Sequence, residues 1–239
     1  MSGHSKWATI HRKKGLIDAQ RGKIFQKLAK EIMVATKGGS PDPNENASLR
    51  LAVDKAKAAN MPKENIENAI KKASGSADDT NYEQVRYEGY GPNGVAFMVD
   101  CLTDNRNRTA MLVRSTLTKK GGNLGTDGSV SYLFERKGVI VTDKSLDEDT
   151  VMMVALDNGA LDVVTNDDTY EIYTGPNDFL KVKDALTEAG VKEFITSEIT
   201  FVPNNYIELD DETSEKVIEL VDSLEDIDDV QNVYHNLSM

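Results

Sequence analysis

The chain is poor in the residues that most often announce chemistry: its 239 residues include one cysteine, one tryptophan, three histidines and six prolines. A single cysteine excludes an intrachain disulfide and any multi-cysteine metal site. Cys101 stands inside the apolar run from Val95 to Leu102, where a thiol behaves as a small hydrophobe. The histidines, His4, His11 and His235, form no HExxH pattern, and no serine-elbow motif accompanies them. Carboxylates abound, yet no spacing picks out an acid and base pair. No apolar run approaches the roughly eighteen residues of a membrane helix, and the N-terminus has neither the apolar core of a signal peptide nor a Met-Gly myristoylation start. These absences lead us to expect a cytoplasmic, non-enzymatic protein with no cofactor, no metal, no membrane association and no small-molecule substrate.

What the sequence does have is charge, unevenly placed. Residues 1 to 75 carry 15 Lys and Arg against 7 Asp and Glu, a balance of +8, whereas residues 76 to 239 balance at −20, within a net charge of −12. Such asymmetry suits a basic portion addressed to polyanions and an acidic remainder that limits indiscriminate binding and is available to a protein partner.

Hydrophobic periodicity divides the chain in the same place. Ile24, Phe25, Leu28, Ala29, Ile32 and Met33 recur at three- and four-residue spacing and predict a helix over 22 to 37, closed by Gly38 and Gly39. Helices near 46 to 59, with Leu49, Ala52, Val53 and Ala56 inward, and near 62 to 73, with Ile66, Ala69, Ile70 and Ala73 inward, follow, with Pro62 placed for a first turn and Gly75 for a C-terminal cap. At about 100° per residue, Lys23, Lys27, Lys30 and Lys37 fall within an arc of about 80° opposite Phe25, Leu28 and Ile32, which makes a cationic stripe. Beyond "GSADD" the pattern changes. Residues 139 to 202 read as a βαββαβ series, the ferredoxin-like plan. Strands at 85 to 87, 95 to 102 and 129 to 135 with a helix at 108 to 120 precede it, and a helix at 213 to 224 with a strand at 230 to 234 follows it. The expected architecture is therefore α+β and multidomain: a three-helix basic N-terminal domain followed by two α/β, ferredoxin-like domains, one inserted in the other. The expected boundaries are 1–78 for the arm and helices, 79–136 with 205–239 for the discontinuous domain, and 137–204 for the insertion.

Several blocks point to a family. "GHSKWATIHRKK", "RGKIFQKL", "YEGYGPNGVA", "DNRNRT", "KKGGNLGTDGSVSYLF" and "DDVQNVYHN" resemble the YebC/PmpR family along the whole chain. That family includes DNA-binding transcriptional regulators and relatives acting in translation, among them a mitochondrial translational activator. The resemblance implies a helical domain followed by two α/β domains and a role in gene expression without catalysis. Two targets follow from it: DNA for a transcriptional regulator, or the ribosome and its RNA for a translation factor.

The residues themselves name a candidate surface. In the opening arm, Lys6, Arg12, Lys13 and Lys14 are suited to phosphates, and His4 and His11 to phosphate or base edges. Trp7 either stacks on an unpaired base or anchors the arm on its own domain. Arg21 and the stripe of Lys23, Lys27, Lys30 and Lys37 continue this surface. In "TDNRNRT", Arg106 and Arg108 stand at a helix start, where the macrodipole disfavours cations. They need a partner, either an external phosphate or an internal carboxylate among Asp104, Asp100 and Asp127, and Arg114, Lys119 and Lys120 extend the same patch. The glycines of "GGNLGTDGS" match neither nucleotide-binding spacing and read as a structural connection. No helix carries clustered Asn, Gln or Arg in the manner of a DNA recognition helix, and an irregular cationic arm suits structured RNA.

Overall fold

The computed structural model describes residues 18 to 75 and 81 to 238. It divides into two compact units, one formed by Phe134–Tyr206 and the other by the described residues up to Leu133 together with Ile207–Leu237.

The larger unit begins with three helices: α1 (Asp18–Lys37), α2 (Ala47–Ala58) and α3 (Lys63–Ser74). Their inward residues are those the periodicity selects, with Leu28, Ile32, Leu49, Ala52, Val53, Ala56, Ile66 and Ala69 closing one core. Helix α1 starts four residues before the expected Gly22, because Ala19, Gln20 and Arg21 favour helix intrinsically though they add nothing to the apolar stripe. Asn46 fixes the corner that follows. Its side-chain oxygen caps α2 by accepting from the Leu49 amide, and its Nδ2 donates to the carbonyls of Ala35 and Ser40.

The same unit holds a four-stranded antiparallel sheet of order β3-β1-β2-β8, built from β1 (Glu83–Tyr90), β2 (Ala96–Thr103), β3 (Asn123–Leu124) and β8 (Val230–His235). Two helices, α4 (Arg106–Lys119) and α7 (Asp211–Glu225), seal its core by setting Val113, Leu117, Val217, Leu220 and Leu224 against Val85, Phe97, Val99 and Cys101. Burial pushes the Cys101 thiol up to about 12, as befits a residue that serves as packing.

The smaller unit is a second antiparallel sheet of order β5-β6-β4-β7, with chain order β4 (Phe134–Asp143), α5 (Glu148–Asp157), β5 (Ala160–Thr165), β6 (Thr169–Thr174), α6 (Phe179–Glu188) and β7 (Thr196–Pro203). This is the βαββαβ series expected from the sequence. One expectation is corrected. The strand read at 129 to 135 does not exist as such: Ser131–Leu133 is a 3-10 turn, and Phe134 to Asp143 run as one strand paired with β7 from Phe134 opposite Pro203 to Val141 opposite Thr196. Arg136, Lys137 and Gly138 break the apolar pattern and imitate a boundary, but strand pairing there is carried by the backbone.

The place of that missing strand in the first sheet is taken by β3, two residues inside the glycine-rich connection. It pairs with Gly89 and Tyr90. A Cβ at Gly89 would stand 2.4 Å from the Asn123 carbonyl oxygen, so only glycine admits this approach. Glu88 holds the remainder of the connection. Its buried carboxylate accepts from the amides of Gly128 (3.0 Å), Val130 and Ser131 (both 2.8 Å). Burial would raise the Glu88 pKa, yet these backbone donors outweigh it and hold the group below the usual carboxylate range. We expect Glu88→Ala to cost about 2 kcal/mol and to accelerate hydrogen exchange at the amides of Gly128, Val130 and Ser131. Unchanged exchange would mean that something other than this carboxylate holds the loop.

His235 lies at the end of β8 with its ring 6.0 Å from that of Phe97, and its Nδ1 has no partner among the described residues. Burial lowers its pKa to about 4 from an ordinary 6.5. The unfolded chain therefore takes up this proton first on acidification, so stability is full above about pH 6.5 and falls as pH drops toward 4. His235→Phe should remove one proton's worth of slope from denaturation measured across that window; an unaltered slope would refute the assignment.

Candidate nucleic-acid interface

Three lysines of the α1 stripe face the chain's own acidic turn between α7 and β8. Lys23 Nζ lies 3.2 Å from Asp226 Oδ1, Lys27 donates to the Glu225 carbonyl, and Lys30 reaches the Asp228 carbonyl at 3.1 Å and Asp229 Oδ1 at 3.2 Å. Glu225 ends α7, so Lys27 sits where the helix dipole favours a cation. Burial is the largest influence on Lys27 and lowers its pKa despite the nearby Glu225, Asp228 and Asp226 carboxylates. Lys55 adds a further link, 3.0 Å from Glu31 and 3.3 Å from the Asn232 side chain on β8.

Asp229 is the centre of this arrangement. It is 5% exposed, and its Oδ2 lies 2.7 Å from Arg108 Nη2, 2.9 Å from the Thr109 hydroxyl and 3.3 Å from that of Thr103. Burial pulls the carboxyl pKa upward, but the bonds from Arg108, Thr109 and Lys30 more than offset it and leave the group below the ordinary range. One carboxylate thus joins α1, α4 and the turn before β8.

The two arginines at the start of α4 have different surroundings. Arg108 is paired internally, with Asp229 and with Asp104 at 2.7 Å each. Asp104 was among the three carboxylates the sequence offered; Asp100 instead forms a forked pair with Arg86 at 2.7 and 2.9 Å. Arg106 has an exposed side chain, while its carbonyl accepts from the Tyr87 hydroxyl at 3.1 Å. Asn105 caps the helix by accepting from the Arg108 amide. The outward residues of α4 include Arg114, Lys119, Met111 (71% exposed) and Leu112, and the helix contains no acidic side chain. Lys120, just beyond it, pairs with Glu219 at 3.0 Å.

Of the remaining expected residues, Arg21 and Lys37 are exposed on α1. His4, Lys6, Trp7, His11, Arg12, Lys13 and Lys14 lie outside the described residues. The residues that sequence reasoning passed over are Asp229 and its neighbours. The stretch "EDIDDV" makes an acidic turn at a helix end, the natural complement of lysines at positions i, i+4 and i+7. Among the described residues no group of three His, Cys, Asp or Glu is placed to hold a metal, and no helix is long and apolar enough to cross a membrane.

Comparison with known proteins places this geometry in context. Residues 5–76 match the family described as the TACO1/YebC protein N-terminal domain, and residues 82–237 match the TACO1/YebC second and third domain. A relative from Geobacillus kaustophilus, named probable transcriptional regulatory protein GK2594, is 57% identical over 99% of this chain and 97% of its own. Probable transcriptional regulatory protein GSU1074 from Geobacter sulfurreducens is 53% identical over 100% of this chain and 96% of its own. Among solved structures, the conserved hypothetical protein Aq1575 from Aquifex aeolicus is similar at a TM-score of 0.84 and 49% identity, covering 98% of this chain and 96% of that one.

Proposed function

Because the chain belongs to the TACO1/YebC family, we propose that it is a non-enzymatic regulator of gene expression that binds nucleic acid, acts in the cytoplasm and uses its basic N-terminal region for contact. The observation that carries this reading is the separation of charge: +8 over residues 1 to 75 against −20 over the rest. Relatives named probable transcriptional regulatory proteins support it.

In this reading the cations fall into two groups. Lys23, Lys27, Lys30 and Arg108 are engaged by the protein's own carboxylates and carbonyls. In this reading they hold the helices on the first sheet and contribute a weaker share to the ligand. The arm and the exposed Arg106, Arg114 and Lys119 supply the main phosphate contacts.

Ultraviolet crosslinking in cells, followed by sequencing of the retained DNA and RNA, tests the proposal. Discrete promoter DNA supports transcriptional control, ribosomal RNA supports action on the ribosome, and retention of neither would overturn nucleic-acid binding.

A further inference from the structure

Strand β5 closes one side of the smaller unit's sheet, and among the described residues no strand pairs with its outer edge. Natural edge strands are commonly guarded by lysine, proline or a short length. This one has six residues and neither lysine nor proline. Its register with β6 slips between Ala160 and Asp162, which leaves Leu161 outside the regular pairing and 62% exposed. Val164 is 37% exposed, and α5, joined to β5 across Asn158 and Gly159, presents Met153 and Leu156 at 60% and 47%. Exposed large apolar side chains on β5 and on the helix that precedes it mark an interaction surface.

Charge selects the occupant. Residues 145 to 180 contain nine Asp and Glu and no Lys or Arg, and Asp162 on β5, Asp157 at the end of the helix before it and Asp167 and Asp168 in the turn after it are exposed. A second copy would set these carboxylates against themselves, and a nucleic acid would meet only repulsion. An extended cationic polypeptide satisfies both features: its backbone completes the strand ladder, alternate apolar residues cover Leu161 and Val164, and the intervening cations meet the aspartates.

We propose that β5 is a docking strand for an extended, cationic protein segment, which adds to the sheet as a fifth strand. The inference goes beyond nucleic-acid binding and stands whether or not that reading holds. The test uses the full chain and an alternating lysine–valine decapeptide, with a glutamate–valine decapeptide as control. Expected results are binding of the first peptide only, slowed hydrogen exchange confined to β5 and its neighbours, and affinity that weakens with salt. Leu161→Lys combined with Val164→Lys should reduce affinity at least about tenfold while thermal unfolding stays unchanged. Ile195→Lys, at an exposed site beside the opposite edge strand, should leave binding intact. Equal binding of both peptides, exchange protection elsewhere, undiminished affinity of the double variant, or self-association through β5 would each overturn the proposal.

Discussion

Asp229→Ala is expected to destabilise the protein by about 3 kcal/mol, read as a lower denaturation midpoint with an unchanged denaturant slope. Four donors converge on this carboxylate, from Arg108, Thr109, Thr103 and Lys30, and its removal strands them around a buried void. Asp229→Asn preserves volume and some hydrogen bonding but removes the charge, so its cost should be smaller. Because the folded carboxyl titrates below its ordinary value, its contribution is present above the unfolded pKa near 4 and lost as pH falls through the folded value. Acid unfolding of the wild type should therefore be steeper than that of Asp229→Asn. Equal stability of wild type and Asp229→Ala would show that the joint among α1, α4 and the turn before β8 does not depend on this residue.

Reversing Arg12, Lys13 and Lys14 to glutamate is expected to weaken nucleic-acid binding by about a hundredfold or more and to flatten the dependence of affinity on salt. The positions belong to a basic stretch in which residues 1 to 17 hold four cations and no acidic residue. Thermal stability should not change. Reversal of Lys23 and Lys27 gives a contrasting pattern. Carboxylates there would face Asp226 and the Glu225 carbonyl, so stability falls along with binding. Fluorescence anisotropy with a labelled duplex and a labelled structured RNA, paired with unfolding curves, separates the two cases. Intact binding by the arm variant would remove the arm from the interface.

The contrast between these variants marks where sequence reasoning stopped. Period alone placed Leu28, Ile32, Leu49, Val53, Ile66 and Ala69 in one core, because burial of a helix face is written at local spacing. The same period set Lys23, Lys27 and Lys30 in a row but said nothing of what they face. Their partners at Glu225 to Asp229 are some two hundred residues away, brought near by the return of α7 and β8 to the first sheet. Arg108 repeats the lesson: the helix dipole called for a partner, either an external phosphate or an internal carboxylate, and of the two carboxylates that pair with it the near one, Asp104, was visible in the sequence while the buried one, Asp229, was not. Strand β3 was illegible for another reason. Two residues paired only through their backbones leave no side-chain pattern, and the signal that survives is the glycine at position 89 required by close approach. Conversely, Arg136 and Lys137 disguised the continuity of β4, since a strand can cross a polar stretch without losing its ladder.

The central claim is that nucleic acid meets the basic N-terminal region and not the acidic unit formed by Phe134–Tyr206. Photocrosslinking of a bound oligonucleotide to the intact protein, with identification of the modified peptides by mass spectrometry, tests it most directly. The account predicts adducts within residues 1 to 75, accompanied by sites on α4, and none within the acidic unit. Adducts concentrated between Phe134 and Tyr206 would contradict it.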